Sequence, residues 1–311
     1  MPSSLVAVPY RRYVPTLSAF PPAPRDATLA RYRRGLNRRL FRWHAMARRP
    51  LIIRDAENPW QVLVAEVMSQ QTGIERVGPA WRRFVERWPT PGDLAEAGTH
   101  ELLVAWTGLG YNRRALALRE AARTIVADHA GRVPARVAAL ESLPGIGPYT
   151  ARAVAATAFG VPVAPLDVNV RRVVSRIFGV SPISSGLQAA ADDLVSRSQP
   201  GRWLDAITDL ASATCKPRAP LCGACPLAVV CASRGMVDIV EKNVQAVPFP
   251  ATTRWLRGRL VAAFTAAPAG AWVPLPERLG HHDADAVGAA ALALEREGFV
   301  ELRGWEARVR S

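Results

Sequence analysis

Lysine is almost missing from this chain of 311 residues: of its 40 Lys and Arg side chains, only Lys216 and Lys242 are lysines. Chemistry that needs a lysine amine as nucleophile is therefore excluded from everything before Lys216. Cysteine is absent outside one short run near the end of the helical body. No apolar stretch approaches the length of a membrane span. The Pro-rich segment Met1 to Pro24 lacks the continuous apolar core of a secretory signal. Strand-like alternation is hard to find before residue 245. These absences point to a helical, cytoplasmic chain, with residues 1–26 read as a poorly ordered arm.

What is present is positive charge. The formal net charge is +14, which suggests a polyanionic partner. Nearly all of it is arginine, whose planar fork donates two parallel hydrogen bonds to a phosphate, although arginine usage also follows genome composition. A hydrophobic fraction of 49% supports real cores, and the length allows two or three domains.

Residues 27–50 read as a basic helix with apolar positions at Leu29, Tyr32, Leu36, Leu40, Phe41 and Trp43. Helices are expected over 60–72, 77–88, 91–97, from Thr99, over 113–129, 137–143, 150–159, 169–178, 187–197 and 202–213. Short helices with short connections imply an all-α body over 27–233, able to form a cleft between two lobes. A linker is expected over 234–252 and a separate module over 253–311. There, helices at 255–266, 276–279 and 283–298, followed by strands at 299–302 and 307–309, form a winged-helix-like pattern. A small α/β module packing on its parent is the alternative.

Leu143-Pro-Gly-Ile-Gly-Pro-Tyr-Thr150 is a turn between two short helices. Gly145 and Gly147 let the chain turn tightly and let backbone N–H groups approach a phosphate, at the positive end of the helix that begins near Pro148. A lone carboxylate, Asp167, follows the break Gly160-Val-Pro-Val-Ala-Pro165, where the chain can turn back. All four cysteines lie in Cys215-x6-Cys222-x2-Cys225-x5-Cys231. Disulfides between such close neighbours would be strained. Four thiolates can hold zinc or an iron–sulfur cluster. A single Cys-x-x-Cys pair with long outer spacers favours [4Fe–4S] over a zinc ribbon. Lys216 and Arg218 make the first loop of this run basic.

Together these residues resemble the helix–hairpin–helix DNA glycosylases, specifically the MutY-type adenine glycosylases that act on A/G mismatches, with endonuclease III as near relative. The resemblance covers residues 30–233. It rests on Ala65-Glu-Val-Met-Ser-Gln-Gln-Thr72, Trp106-Thr-Gly-Leu-Gly-Tyr111, the hairpin, Asp167-Val-Asn169 and the cysteine run. It implies two helical lobes flanking a cleft that receives a flipped adenine, and double-stranded DNA carrying a mismatch or oxidised base as the partner of a monomeric, nucleoid-associated enzyme. Glu66 would be the acid, protonating the adenine ring. Asp167 would stabilise the developing sugar cation, Asn169 would orient it, and Tyr149 would contact the sugar. Arg54 and Asp205 would face the base, while Gln70, Gln71 and Tyr111 would probe the stack. Lyases of the superfamily place their lysine where Tyr149 stands, so the resemblance implies a glycosylase without lyase activity.

The chain departs from the family at Leu51-Ile-Ile-Arg54, where Leu-Pro-Trp-Arg is usual, and at Ser69, Val168 and Asp205. The Nudix-like C-terminal domain that recognises 8-oxoguanine in the family has no counterpart in residues 253–311. Adenine opposite 8-oxoguanine or guanine is the expected substrate. A thymine or uracil mismatch glycosylase, or a non-catalytic lesion-binding protein, are the alternatives.

Overall fold

The computed structural model describes residues 27–236 and 247–310. The expected arm over 1–26, residues 237–246 of the expected linker, and Lys242 lie outside the described residues. The chain divides into two compact units: Met1–Pro50, Ala135–Ala138 and Gly147–Lys242 form the first, and Leu51–Pro134, Ala139–Ile146 and Asn243–Ser311 the second. The body is helical, as the periodicity implies. Among the described residues no helix is long and apolar enough to cross a membrane.

In the first unit, α1 (Ala27–Ala47) packs against α11 (Pro200–Ala213), and α11 also packs on α8 (Pro148–Phe159) and α9 (Val168–Phe178). α10 (Leu187–Leu194) packs against α1 and α9. Trp203 lies fully buried in the core, among Leu36, Leu40, Val174, Leu194, Ile207 and Leu210. Glycine sets two spacings here. A Cβ at Gly201 would stand 3.1 Å from the Thr157 backbone, so α11 lies close on α8. Gly160, at φ 67, ends α8 with the Val161 N–H returning to the Ala155 carbonyl at 3.0 Å. One polar knot is sealed inside: Asp209, 1% exposed, accepts from His44 Nε2 at 3.0 Å and from Arg49 Nε at 2.6 Å. It ties α1 to α11, since a carboxylate this deep must be hydrogen-bonded and paired.

The second unit starts with α2 (Pro59–Ser69), α3 (Ile74–Arg87), α4 (Pro91–Ala95), α5 (Thr99–Ala105) and α6 (Arg113–Asp128). Asn58 caps α2 by accepting from the Gln61 N–H, with Pro59 in the first turn. Thr90 and Asp93 form a reciprocal capping box on α4. Phe84 and Trp106, both fully buried, meet edge-on at 5.9 Å. The short α7 (Val137–Glu141) leads into the glycine hairpin.

The C-terminal residues belong to this second unit. α12 (Thr253–Ala266) and α13 (Ala284–Arg296) pack together beside a three-stranded antiparallel sheet of order β1-β3-β2, with β1 Val273–Pro274, β2 Val300–Arg303 and β3 Glu306–Val309. Leu260, Phe264, Val287, Leu294, Phe299 and Ala307 fill its core. α12 packs on α5, and His100 Nε2 donates to the Ala267 carbonyl at 2.9 Å. The helix expected at 276–279 does not form. That stretch is irregular, with a bend at Glu277, and leads into a turn closed by an isolated bridge between Leu279 and His282; Gly280, at φ 62, lies where a Cβ would come 2.7 Å from the Trp255 ring. Strand β1 was not expected, because two residues carry no readable alternation.

Candidate active site

Asp167 is the N-cap of α9. Its Oδ1 accepts from the Asn169 N–H at 2.9 Å and the Val170 N–H at 2.7 Å, and its Oδ2 from Asn169 Nδ2 at 3.1 Å. The segment before it is irregular and carries Pro162 and Pro165, so the helix begins sharply at a residue suited to capping. The carboxylate is half-buried at the positive end of the helix.

Arg172, one turn further on, is a residue that the sequence reading missed. It is buried, and donates from Nη1 to Asn169 Oδ1 at 3.0 Å, from Nη2 to the Ala211 carbonyl at 3.0 Å and from Nε to the Cys215 carbonyl at 2.9 Å. Because arginine only donates, Asn169 must turn its oxygen to Arg172 and its amide hydrogens to Asp167. One guanidinium thus fixes the orientation of the residue that holds the carboxylate.

The next turn of α9 meets the cysteines. Buried Arg176 donates from Nη1 to Cys215 Sγ at 3.4 Å and to the Lys216 carbonyl at 2.8 Å, and from Nη2 to the Pro217 carbonyl at 2.9 Å. Cys215, Cys222, Cys225 and Cys231 all line one cavity of about 30 Å³. Burial pushes the Cys231 thiol up to about 11, and raises Cys225 as well, with the neighbouring cysteines adding to both shifts. Among the described residues, no group of three or more His, Cys, Asp or Glu is gathered closely enough to hold a single metal ion. Lys216 and Arg218 are exposed.

Tyr149 is half-buried in the first turn of α8 and packs its ring on the core of the first unit. Asp205, on α11, is half-buried. The two hairpin glycines differ. Gly145 is required by its backbone, with φ 75 and a would-be Cβ 2.7 Å from the Ala117 Cβ. Gly147 has an ordinary φ of −87 and open space where a Cβ would be, so nothing in the fold itself demands glycine there.

In the second unit, Glu66 lies half-buried on α2 among buried Val62, Leu63, Ala65 and Val67. Arg54 is half-buried in the single turn Ile52–Asp55. Gln70 ends α2, Gln71 follows at φ 53, and Tyr111 stands at φ 47. Positive φ at non-glycine residues is costly, so something must hold both. Arg114 does so. Its Nη1 donates to the carbonyls of Val67, Met68 and Gln70 at 2.9, 2.8 and 2.5 Å, and its Nη2 to Thr72 Oγ1 and the Gly110 carbonyl, each at 2.9 Å. The same guanidinium faces the Trp106 and Tyr111 rings at 5.4 and 5.6 Å. Burial lowers it to about 10, which leaves it charged near neutrality. The sequence reading missed Arg114 too, because nothing in the chain order marks which carbonyls it meets.

Residues 64–195 match the family described as HhH-GPD superfamily base excision DNA repair protein. The adenine DNA glycosylase of Mycolicibacterium smegmatis is 41% identical over 230 residues, covering 71% of this chain and 78% of that protein. The chain belongs to this family of glycosylases. Two solved structures are similar to it. A thermostable thymine-DNA glycosylase has a TM-score of 0.61 at 29% identity, over 67% of this chain and 99% of that one. An endonuclease III in non-covalent complex with DNA has 0.57 at 26%, over 67% and 97%. The family match spans Glu66, Tyr111, the hairpin and Asp167, and ends before the cysteines and α12.

Within this glycosylase frame, Arg114 holds the end of α2, which carries Glu66, to the loop that carries Tyr111. Replacing Arg114 with Ala removes the guanidinium donor from the carbonyls of Val67, Met68, Gln70 and Gly110, although Val67 keeps the Gln70 N–H, Gln70 the Thr72 hydroxyl and Gly110 the Trp106 indole N–H. It should cost about 2–4 kcal/mol of stability in urea unfolding, while Arg114→Lys, a point donor without the fork, recovers less than half of that. An unchanged unfolding midpoint for Arg114→Ala would refute the clamp.

Proposed function

We propose that this chain hydrolyses the N-glycosidic bond of adenine mispaired with 8-oxoguanine or guanine in double-stranded DNA, and leaves the sugar–phosphate strand intact. The observation that carries the reading is the triply held Asp167 carboxylate, set in a chain 41% identical to an adenine DNA glycosylase. The scissile bond is inaccessible inside a duplex, so the base must be flipped out. Glu66, in apolar surroundings, delivers a proton to the adenine ring and turns it into a better leaving group. Asp167 faces the sugar as positive charge develops there, and its fixed position means that no reorganisation is needed at that moment. Tyr149 contacts the sugar, and Asn169, oriented by Arg172, holds the carboxylate. Arg54 and Asp205 select the base.

The hairpin grips the backbone, with Gly147 kept small so that a phosphate can approach its N–H. Gln70, Gln71 and Tyr111 probe the stack beside the mismatch, and Lys216 and Arg218 extend the basic surface. The enzyme acts as a monomer in the cytoplasm, at the nucleoid. Residues 27–233 form the glycosylase domain and 253–311 its C-terminal module.

The four cysteines fit a [4Fe–4S] cluster: they share one cavity, and Arg176 and the Gly235 N–H point at their sulfurs. Bound there, the cluster would supply structure and shape a basic loop. Purified protein should be brown, with about four irons per chain; colourless protein with one zinc would reject the assignment.

A thymine or uracil mismatch glycosylase is the second reading, favoured by the thymine-DNA glycosylase fold match and disfavoured by its lower identity. Duplexes carrying A:8-oxoguanine, A:G, T:G and U:G separate the two. Adenine should be released from the first two alone, with strand scission appearing only after alkali, because Tyr149 offers no amine for a Schiff base. Release of thymine or uracil, or scission without alkali, would overturn the reading.

A further inference from the structure

A groove of about 1350 Å³ runs through the second unit, between the Tyr111 loop and α12. It exceeds the roughly 300–1,000 Å³ of a small-molecule site, which suits a polymer better than a metabolite. Its charge is one-sided. Arg76, Arg113, Arg254 and Arg259 line it, all four exposed and none in an ion pair among the described residues. The acid on its wall, Glu297, is neutralised by Arg257 through two bonds of 2.9 and 2.5 Å. Arg114 is committed to carbonyls.

Aromatic rings stand among these charges. Phe249 is 51% exposed and Tyr111 39%. The Arg254 guanidinium lies 4.9 Å from the Phe249 ring and 5.2 Å from the Tyr111 ring, and donates to the Tyr111 hydroxyl. Tyr111 is thus covered by Arg254 and faced by Arg114. Arginines without an acid partner, interleaved with exposed rings, make the surface on which phosphates pair and unstacked bases stack.

We infer that the C-terminal module is part of the DNA-binding surface: Arg254 and Arg259 of α12 grip phosphates of the bound duplex, and Phe249 beside Tyr111 receives an unstacked base. Arg254 exchanges the Tyr111 hydroxyl for a phosphate oxygen on binding, which uncovers the Tyr111 ring. The inference rests on the proposed function and extends it to a segment outside the family match.

The test is fluorescence-anisotropy binding to a labelled duplex containing one A:8-oxoguanine pair, over a series of salt concentrations, with full-length protein carrying Asp167→Asn to keep the base in place. Arg254→Glu with Arg259→Glu should weaken binding at least about tenfold and reduce the log–log salt slope by about 1–2, close to one unit per lost phosphate contact. Arg278→Glu with Arg310→Glu changes the net charge equally at exposed positions that do not line the groove, and should shift binding far less. Should charge reversal disturb folding, seen as a lowered melting temperature, Arg254→Gln with Arg259→Gln should show the same trend. Equal weakening by the two reversed pairs, or no change by the groove pair, would overturn the inference. Adenine release by the unaltered chain tests the functional reading separately, since the groove is judged only by the difference between the two pairs.

Discussion

The account depends on one helix cap. A carboxylate offers about four lone-pair sites, and Asp167 fills three of them with the Asn169 and Val170 N–H groups and the Asn169 amide. The cap fixes the side chain and leaves acceptor capacity for something outside the protein. In isolation such a cap contributes about 0.5–2 kcal/mol to stability. Its larger consequence is that the carboxylate is already in place when charge develops beside it, so its rotational freedom has been given up during folding.

Arginines brace the backbone within each unit. Arg172 ties Asn169 to the Cys215 and Ala211 carbonyls, and Arg176 reaches the Cys215 sulfur one turn later. α9 is therefore a short rod with the carboxylate at one end and the cysteine loop against its middle, so disorder in that loop would be felt at Asn169. In the second unit Arg114 plays the matching part, holding the left-handed backbone at Gln71 and Tyr111 through carbonyls on both sides. Desolvating a guanidinium is expensive, and these positions recover the cost because planar, forked donors meet several carbonyls at once.

Much of the fold is legible in the chain, because its stops and starts use residues with a mechanism. Asn58-Pro59 and Thr90-Pro91 start helices, and Gly160 and Gly179, both at positive φ, end them. The 276–279 helix fails on the same grounds: the four residues Pro276 to Leu279 are too few to complete a nucleus, and the Trp255 ring claims the space at Gly280. Asp167 is legible as a cap after a proline-rich break, whereas its pairing with Glu66 comes from the family resemblance and from no local pattern. Arg114 and Arg172 could not be found in advance. Each is one arginine among many on an amphipathic helix, and its meaning lies in carbonyls about forty residues away in the chain. Gly147 shows the converse, a glycine legible in the motif whose backbone does not need it.

The most direct measurement is the single-turnover rate of adenine release by Asp167→Asn from an A:8-oxoguanine duplex. Asparagine caps a helix about as well as aspartate, so fold, Arg172 contacts and mismatch binding should stay within a few-fold of the unaltered chain. Without the negative charge beside the sugar, release should fall by at least about 100- to 1,000-fold. A rate within a few-fold of the unaltered enzyme would contradict the role of Asp167, and with it the account built on the cap of α9.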